Sequence, residues 1–128
     1  MERDVNDTGT LVGVPAPAGR HCVVTGVAGF IGSRLATRLV QEGWSVTGVD
    51  GFTDSYDPVE KVMRAAGLVR TTGLTLEVGD LVQLDLDRIF AGADVVFHLA
   101  GRAGVRASFT DIDRYVHDNV DALSLIHI

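Results

Sequence analysis

From His21 onward, short apolar runs alternate with stretches in which apolar residues recur every three or four positions. "HCVVT", His21 to Thr25, lacks polar alternation, as a strand covered on both faces requires. Ile31, Leu35, Ala36, Leu39 and Val40 then fall on one helical stripe that ends at Gly43, a residue suited to cap a helix C-terminus. "WSVTGVD" (Trp44 to Asp50) predicts a second strand, Leu74 to Val78 a third and "ADVVFHLA" (Ala93 to Ala100) a fourth. Between them Asp57 can cap a helix that begins at Pro58, where a missing N–H costs nothing, and Leu84 to Phe90 predicts a turn or two of helix. "TDIDRYVHDNVDAL" places Ile112, Tyr115, Val116, Val120 and Leu123 on helical spacing behind a capping residue. Strands alternating with helices at this pitch predict βαβ units, a parallel sheet and right-handed crossovers, an α/β fold of the doubly wound kind.

A chain of 128 residues holds one domain with one core. Its apolar share of 46% with 22% charged residues is that of an ordinary globular protein. Met1 to Arg20, rich in Gly, Pro and Thr and without periodicity, is expected to be a flexible leader, residues 1–20, ahead of the folded part. It is acidic and polar where an export signal would be basic and then apolar, and no apolar run approaches the ~20 residues of a membrane helix. A net charge of −6 without a basic stripe argues against nucleic-acid binding. Cys22 stands alone inside a strand, which excludes an internal disulfide and fits a reducing compartment. We therefore expect a cytoplasmic protein with neither membrane nor nucleic acid as partner. The histidines at 21, 98, 117 and 127 lack the spacing of a metal site, and His98 reads as a hydrogen-bonded interior residue.

The candidate chemistry lies in "VVTGVAGFIGSRL". Gly26, Gly29 and Gly32 sit between a strand and a helix, the context of a dinucleotide-binding turn. Gly26 permits the sharp turn, Gly29 lets backbone approach a pyrophosphate at the helix N-terminus, and Gly32 lets the helix pack closely. Glycines also mark plain turns; the junction and Asp50 at the end of the next strand, near the separation of ~20 at which an acid reaches the adenine ribose, favour the cofactor reading. A carboxylate at Asp50 bonds a free 2′-hydroxyl and repels a 2′-phosphate, and Gly51 after it offers no basic group, so NAD is expected over NADP. No Gly-Lys-Ser/Thr follows the loop, which excludes a Walker-type site.

Together "TGVAGFIG", "GVD", "VGDL" (Val78 to Leu81) and "FHLAGRAGVRAS" (Phe97 to Ser108) resemble the extended short-chain dehydrogenase/reductase family, the NAD-dependent epimerases and dehydratases, over about His21 to Ala122. The resemblance implies a Rossmann-type doubly wound parallel sheet cut after about four strands, a partial NAD-binding domain over residues 21–122. It implies that the amides of Phe30 and Ile31 meet the pyrophosphate, that Asp80 and Leu81 flank the adenine, and that Leu99, Ala100 and Gly101 line the cofactor. Asp80 has a plainer reading as a turn former. "FTDSYDP" and "AGVRAS" look most like the nucleotide-sugar 4-epimerases acting on UDP-glucuronate, in which Arg106 would lie beside an anionic sugar that a guanidinium can bind with two parallel hydrogen bonds. A solvated surface arginine is the alternative for Arg106.

Two positions depart from the family pattern. Arg102 stands near a usual Gln or Glu, putting a cation beside the nicotinamide, and Asp118 stands where Ser, Thr or Asn is usual before the family's helix asparagine, Asn119. The Tyr acid/base of the family, with a Lys four residues later, is not matched: Tyr56 is followed at that spacing by Glu60 and Tyr115 by Asn119. In the family that pair follows a fifth strand. We expect, then, no catalytic residue here, only the NAD-binding part of an epimerase or dehydratase whose intact form, a homodimer by resemblance, moves a hydride at sugar C4. A reductase or 4,6-dehydratase of the same family, and a non-catalytic NAD sensor, are the other readings. "LSLIHI", residues 123–128, is what a transposase-end sequencing adapter gives in translation (CTG TCT CTT ATA CAC ATC), and we expect it to be non-native; an amphipathic helix end is the alternative.

Overall fold

The computed structural model describes residues 4–5, 11–12, 19–52, 58–102 and 109–126. Of the leader, β1 (Asp4–Val5) pairs antiparallel with β2 (Leu11–Val12); most of the rest of it, with Asp57 and Arg106, lies outside the described residues. From there follow β3 (His21–Thr25), α1 (Phe30–Gln41), β4 (Ser45–Asp50), α2 (Pro58–Thr72), β5 (Thr75–Val78), α3 (Leu86–Phe90) and β6 (Val95–His98). The chain closes with α4 (Ile112–Val116), a π-helical turn (His117–Asp121) and α5 (Ala122–Ile126). The four longer strands are parallel and lie in the order β5-β4-β3-β6. This is the predicted doubly wound, Rossmann-type sheet: the first strand has the predicted bounds, the second and third each start one residue later, and the fourth is shorter by two residues at both ends.

Strand β3 organises the sheet because it is covered on both faces. Cys22 and Val24 point into one cluster with Val27, Ala36, Leu39, Val46, Leu68 and Leu74, beneath α1 and α2. Val23, one residue out of phase, points into the other with Val49, Leu81, Leu86, Ile89 and Ala122. Burying side chains such as Val23 and Val24 completely contributes roughly 1.5–3 kcal/mol each. Burial also pushes the Cys22 thiol up, keeping it protonated. The predicted cap at Gly43 is present: at φ 89° its N–H donates to the Val40 carbonyl and that of Trp44 to Leu39, a Schellman closure of α1. Asp85 caps α3 by accepting from the Arg88 N–H at 3.2 Å.

The last helix departs from expectation. Its apolar residues Ile112, Val116, Val120 and Leu123 are exposed, while Ala122 is buried. The π turn carries more residues per turn than an α-helix. It brings three consecutive side chains into contact with the strand-end segments, His117 with Asp80, and Asp118 and Asn119 with Arg102. No helix among the described residues is long and apolar enough to cross a membrane.

Two glycines give a stability test. A Cβ on Gly48 would stand 2.7 Å from Val27 Cγ1, so β4 can pass over Val27 only without a side chain. On Gly67, within α2, nothing lies within 4 Å. Gly48→Ala is expected to destabilise by about 1–3 kcal/mol and Gly67→Ala to stabilise by about 0.5–1 kcal/mol, read by denaturant unfolding; equal effects would contradict the packing described.

Candidate functional site

The chain runs outward from β3 to β4 and β5, then returns across the sheet to β6, so the strand order reverses beside β3. Open α/β sheets bind ligands at the carboxyl ends of the strands at such a reversal. A cavity of about 370 Å³ lies there. Gly26, Gly29, Asp50, Asp80, Leu81, Leu99, Ala100 and Gly101, all predicted site residues, line it. A larger groove of about 530 Å³ runs over the outer surface of α1 and α2, where Phe30 lies with Arg34, Arg38 and Arg64. We place the site in the smaller cavity because the strand ends and the glycine turn converge there.

Gly26 leaves β3 at φ 69°, a conformation that disfavours a side chain, and its N–H donates to the Val49 carbonyl at 2.8 Å. A Cβ there would lie 2.8 Å from the Ala100 nitrogen and 2.9 Å from the Leu99 carbonyl. Gly32 is needed for a related reason: its Cβ would collide with the Gly26 carbonyl, so the helix packs on the turn itself. Gly29 opens α1 without a side-chain cap, and the first turn holds no acidic residue. The first-turn amides, Phe30 and Ile31 among them, are thus suited to an external anion. Neither Phe30 nor Ile31 lines the cavity with its side chain; both side chains are exposed.

Thr25 ties β3 to the segment after β6. Its buried Oγ1 accepts from the N–H groups of Leu99 and Ala100, each at 3.1 Å, and lies 2.8 Å from His98 Nδ1. With both lone pairs engaged, the hydroxyl is left to donate to Nδ1. His98 is the hydrogen-bonded residue expected from sequence.

Asp50 is 5% exposed. Its Oδ2 accepts from the Ala28 N–H at 3.0 Å and Oδ1 from the Phe52 N–H at 2.8 Å. The second bond holds Phe52 at φ 52°, the left-handed region that ordinary residues avoid. Lys61 Nζ approaches Oδ1 at 3.7 Å and lines the same cavity. Gly51, the residue that follows the acid, carries no base, as the sequence says; the base beside Asp50 comes from α2. Buried charges require such compensation. The signal was present in the sequence, since Lys61, Ala65 and Leu68 share the buried stripe of α2.

Asp80 forms the turn that its plainer reading expects, and it also lines the cavity. Oδ1 accepts from the Val82 N–H at 3.0 Å, closing the turn, while Oδ2 meets His117 Nε2 at 2.6 Å beside the cavity. The Asp80 hydrogen bond holds the His117 imidazole above its usual value. Burial works to raise the Asp80 carboxyl, but the bonds from His117 and the Val82 amide bring it below the usual range. The two departures from the family pattern also meet: Arg102 Nε donates to Asp118 Oδ2 at 2.8 Å. Asn119 holds the Arg102 backbone at both ends, accepting from its N–H at 2.6 Å and donating to its carbonyl at 3.0 Å.

The sequence profile of the NAD dependent epimerase/dehydratase family matches residues 22–126, and the chain belongs to that family. A probable UDP-glucuronate 4-epimerase of Rhizobium meliloti (strain 1021) is 42% identical over 101 residues, which is 77% of this chain and 30% of that protein. The structure of UDP-glucuronic acid 4-epimerase from Bacillus cereus in complex with UDP-glucuronic acid and NAD superposes with a TM-score of 0.75 at 33% identity, covering 80% of this chain and 33% of the other. An NAD-dependent NDP-hexosamine 5,6-dehydratase gives a TM-score of 0.62 at 28% identity over 80% of this chain and 30% of its own. The chain thus spans about a third of the length of the relatives it matches.

The Asp80–His117 pair has a defined pH window. His117 is raised, so its contribution is complete below the ordinary imidazole value of about 6.5 and fades as pH climbs through the higher folded-state value. Asp80 is lowered, so its contribution is complete above the ordinary carboxylate value of about 4 and fades as pH falls through the lower folded-state value. Stability measured by urea unfolding between pH 6 and 8 is expected to decline more in the wild-type chain than in His117→Gln, by a small margin because both side chains are over a third exposed. Parallel pH curves would rule the pair out.

Proposed function

We propose that the cavity binds NAD and that the chain is the cofactor-binding part of a nucleotide-sugar epimerase acting on UDP-glucuronate or a close analogue. The observation that carries the reading is Asp50, fixed by two backbone amides at the end of β4 and lining the cavity beside the glycine turn. A carboxylate so held accepts from a ribose 2′-hydroxyl without reorganising. Above it the glycine turn leaves the cradle that a side chain would fill, and the uncapped start of α1 favours a pyrophosphate. NAD supplies the hydride chemistry, while these residues bind and orient it.

The acid/base pair of the reaction belongs to another part of the protein. Lys61, the chain's one lysine, is committed to Asp50, and Tyr115 carries the Arg102 guanidinium over its ring at 5.8 Å. The likeness to the 5,6-dehydratase favours a dehydratase as the second reading. A nucleotide sugar is the substrate under either, with Arg106 as the group for an anionic sugar. The buried thiol of Cys22 supports a reducing, cytoplasmic setting, and the homodimer is proposed for the intact enzyme on resemblance.

Calorimetric titration of the chain with NAD⁺ and NADP⁺ tests the assignment. The wild type is expected to prefer NAD⁺. Asp50→Asn is expected to weaken NAD⁺ by about tenfold or more, the worth of a charged hydrogen bond, and to raise relative NADP⁺ affinity, since Lys61 is then uncompensated. Unchanged preference would remove Asp50 from the cofactor site.

A further inference from the structure

Arg102 and Asp118 come from separate elements and each departs from the family's usual residue, yet they form one contact. Their side chains are 9% and 17% exposed. Asp118 lines the cavity beside Leu99, Ala100 and Gly101, whereas Arg102 does not line it and lies over the ring of Tyr115. The pair therefore presents its acid to the cavity and its base behind it.

A dinucleotide spanning the crevice with its adenosine on Asp50, at the β4 side, has its other half toward β6. That is where Asp118 stands. The nicotinamide ring is positively charged in NAD⁺ and neutral in NADH, so an unbalanced charge near it changes the two affinities by different factors. We infer that Arg102 and Asp118 act as one compensated pair whose balance sets the relative affinity of the site for oxidised and reduced cofactor. The inference rests on the reading of the cavity as an NAD site. Removing the base leaves a carboxylate facing the cavity, which favours the cationic ring; removing the acid leaves a guanidinium, which disfavours it. The double backbone clamp of Asn119 keeps the Leu99–Arg102 segment in place in either case, so the charge changes without the loop being released.

The test is the ratio of NAD⁺ to NADH dissociation constants, measured on the full chain by calorimetry and NADH fluorescence, with thermal melting as a check on folding. Arg102→Gln is expected to shift the ratio toward NAD⁺ by about tenfold, and Asp118→Asn toward NADH by a similar factor, as for unit charges roughly 10 Å apart in a partly buried site. The double variant R102Q/D118N and the charge-keeping Arg102→Lys are expected to hold the wild-type ratio, and they serve even if a single variant fails to fold. Single variants that weaken both forms equally, or a double variant or Arg102→Lys with a shifted ratio, would overturn the inference alone. A wild-type chain that binds neither form would overturn the NAD reading and this inference with it.

Discussion

The rest of the site depends on the contact between the end of β3 and the segment after β6. Thr25 receives two amides from that segment, and Gly26, the next residue, has no side chain to hold it away. Any Cβ at 26 would enter the Leu99–Ala100 backbone, and any at 32 would enter Gly26. The cavity floor is thus set by backbone packed on backbone. Its shape follows from three positions in the chain, Thr25, Gly26 and Gly32.

Charge is managed with similar economy. Three acids line the cavity, and each meets a base from a different element: Asp50 meets Lys61 of α2, Asp80 meets His117 of the π turn, and Asp118 meets Arg102 after β6. Three bare carboxylates around a crevice would repel a pyrophosphate, whereas paired ones leave the amides at the start of α1 to dominate. The π turn is central here, since it gives consecutive residues to two of these contacts and a backbone clamp to the Arg102 segment.

The sheet and the glycine turn were legible because each local signal had a single physical cause. An unbroken apolar run means a strand covered on both faces, and glycines between strand and helix mean a close turn. Asp50 and Asp80 were legible from their places after strands. Lys61 was readable in principle, as a charge on an apolar helical stripe, but its partner lies in another element, β4, and is set by tertiary packing. Thr25 closes the apolar run Cys22 to Val24, and nothing local says that its hydroxyl would serve the chain more than seventy residues on. The contact of Arg102 with Asp118 is made from the π turn, which has no clear sequence signature.

On the proposed reading the ends of the parallel strands, and not the open groove between α1 and α2, hold a dinucleotide. Amide chemical-shift mapping of the labelled chain during addition of NAD⁺ tests it most directly. Perturbations are expected at Gly26, Gly29 to Gly32, Asp50, Asp80 to Leu81 and Leu99 to Gly101, with Thr37, Gln41 and Thr71 unmoved. Perturbations confined to the α1–α2 groove, or none at saturating NAD⁺, would contradict it.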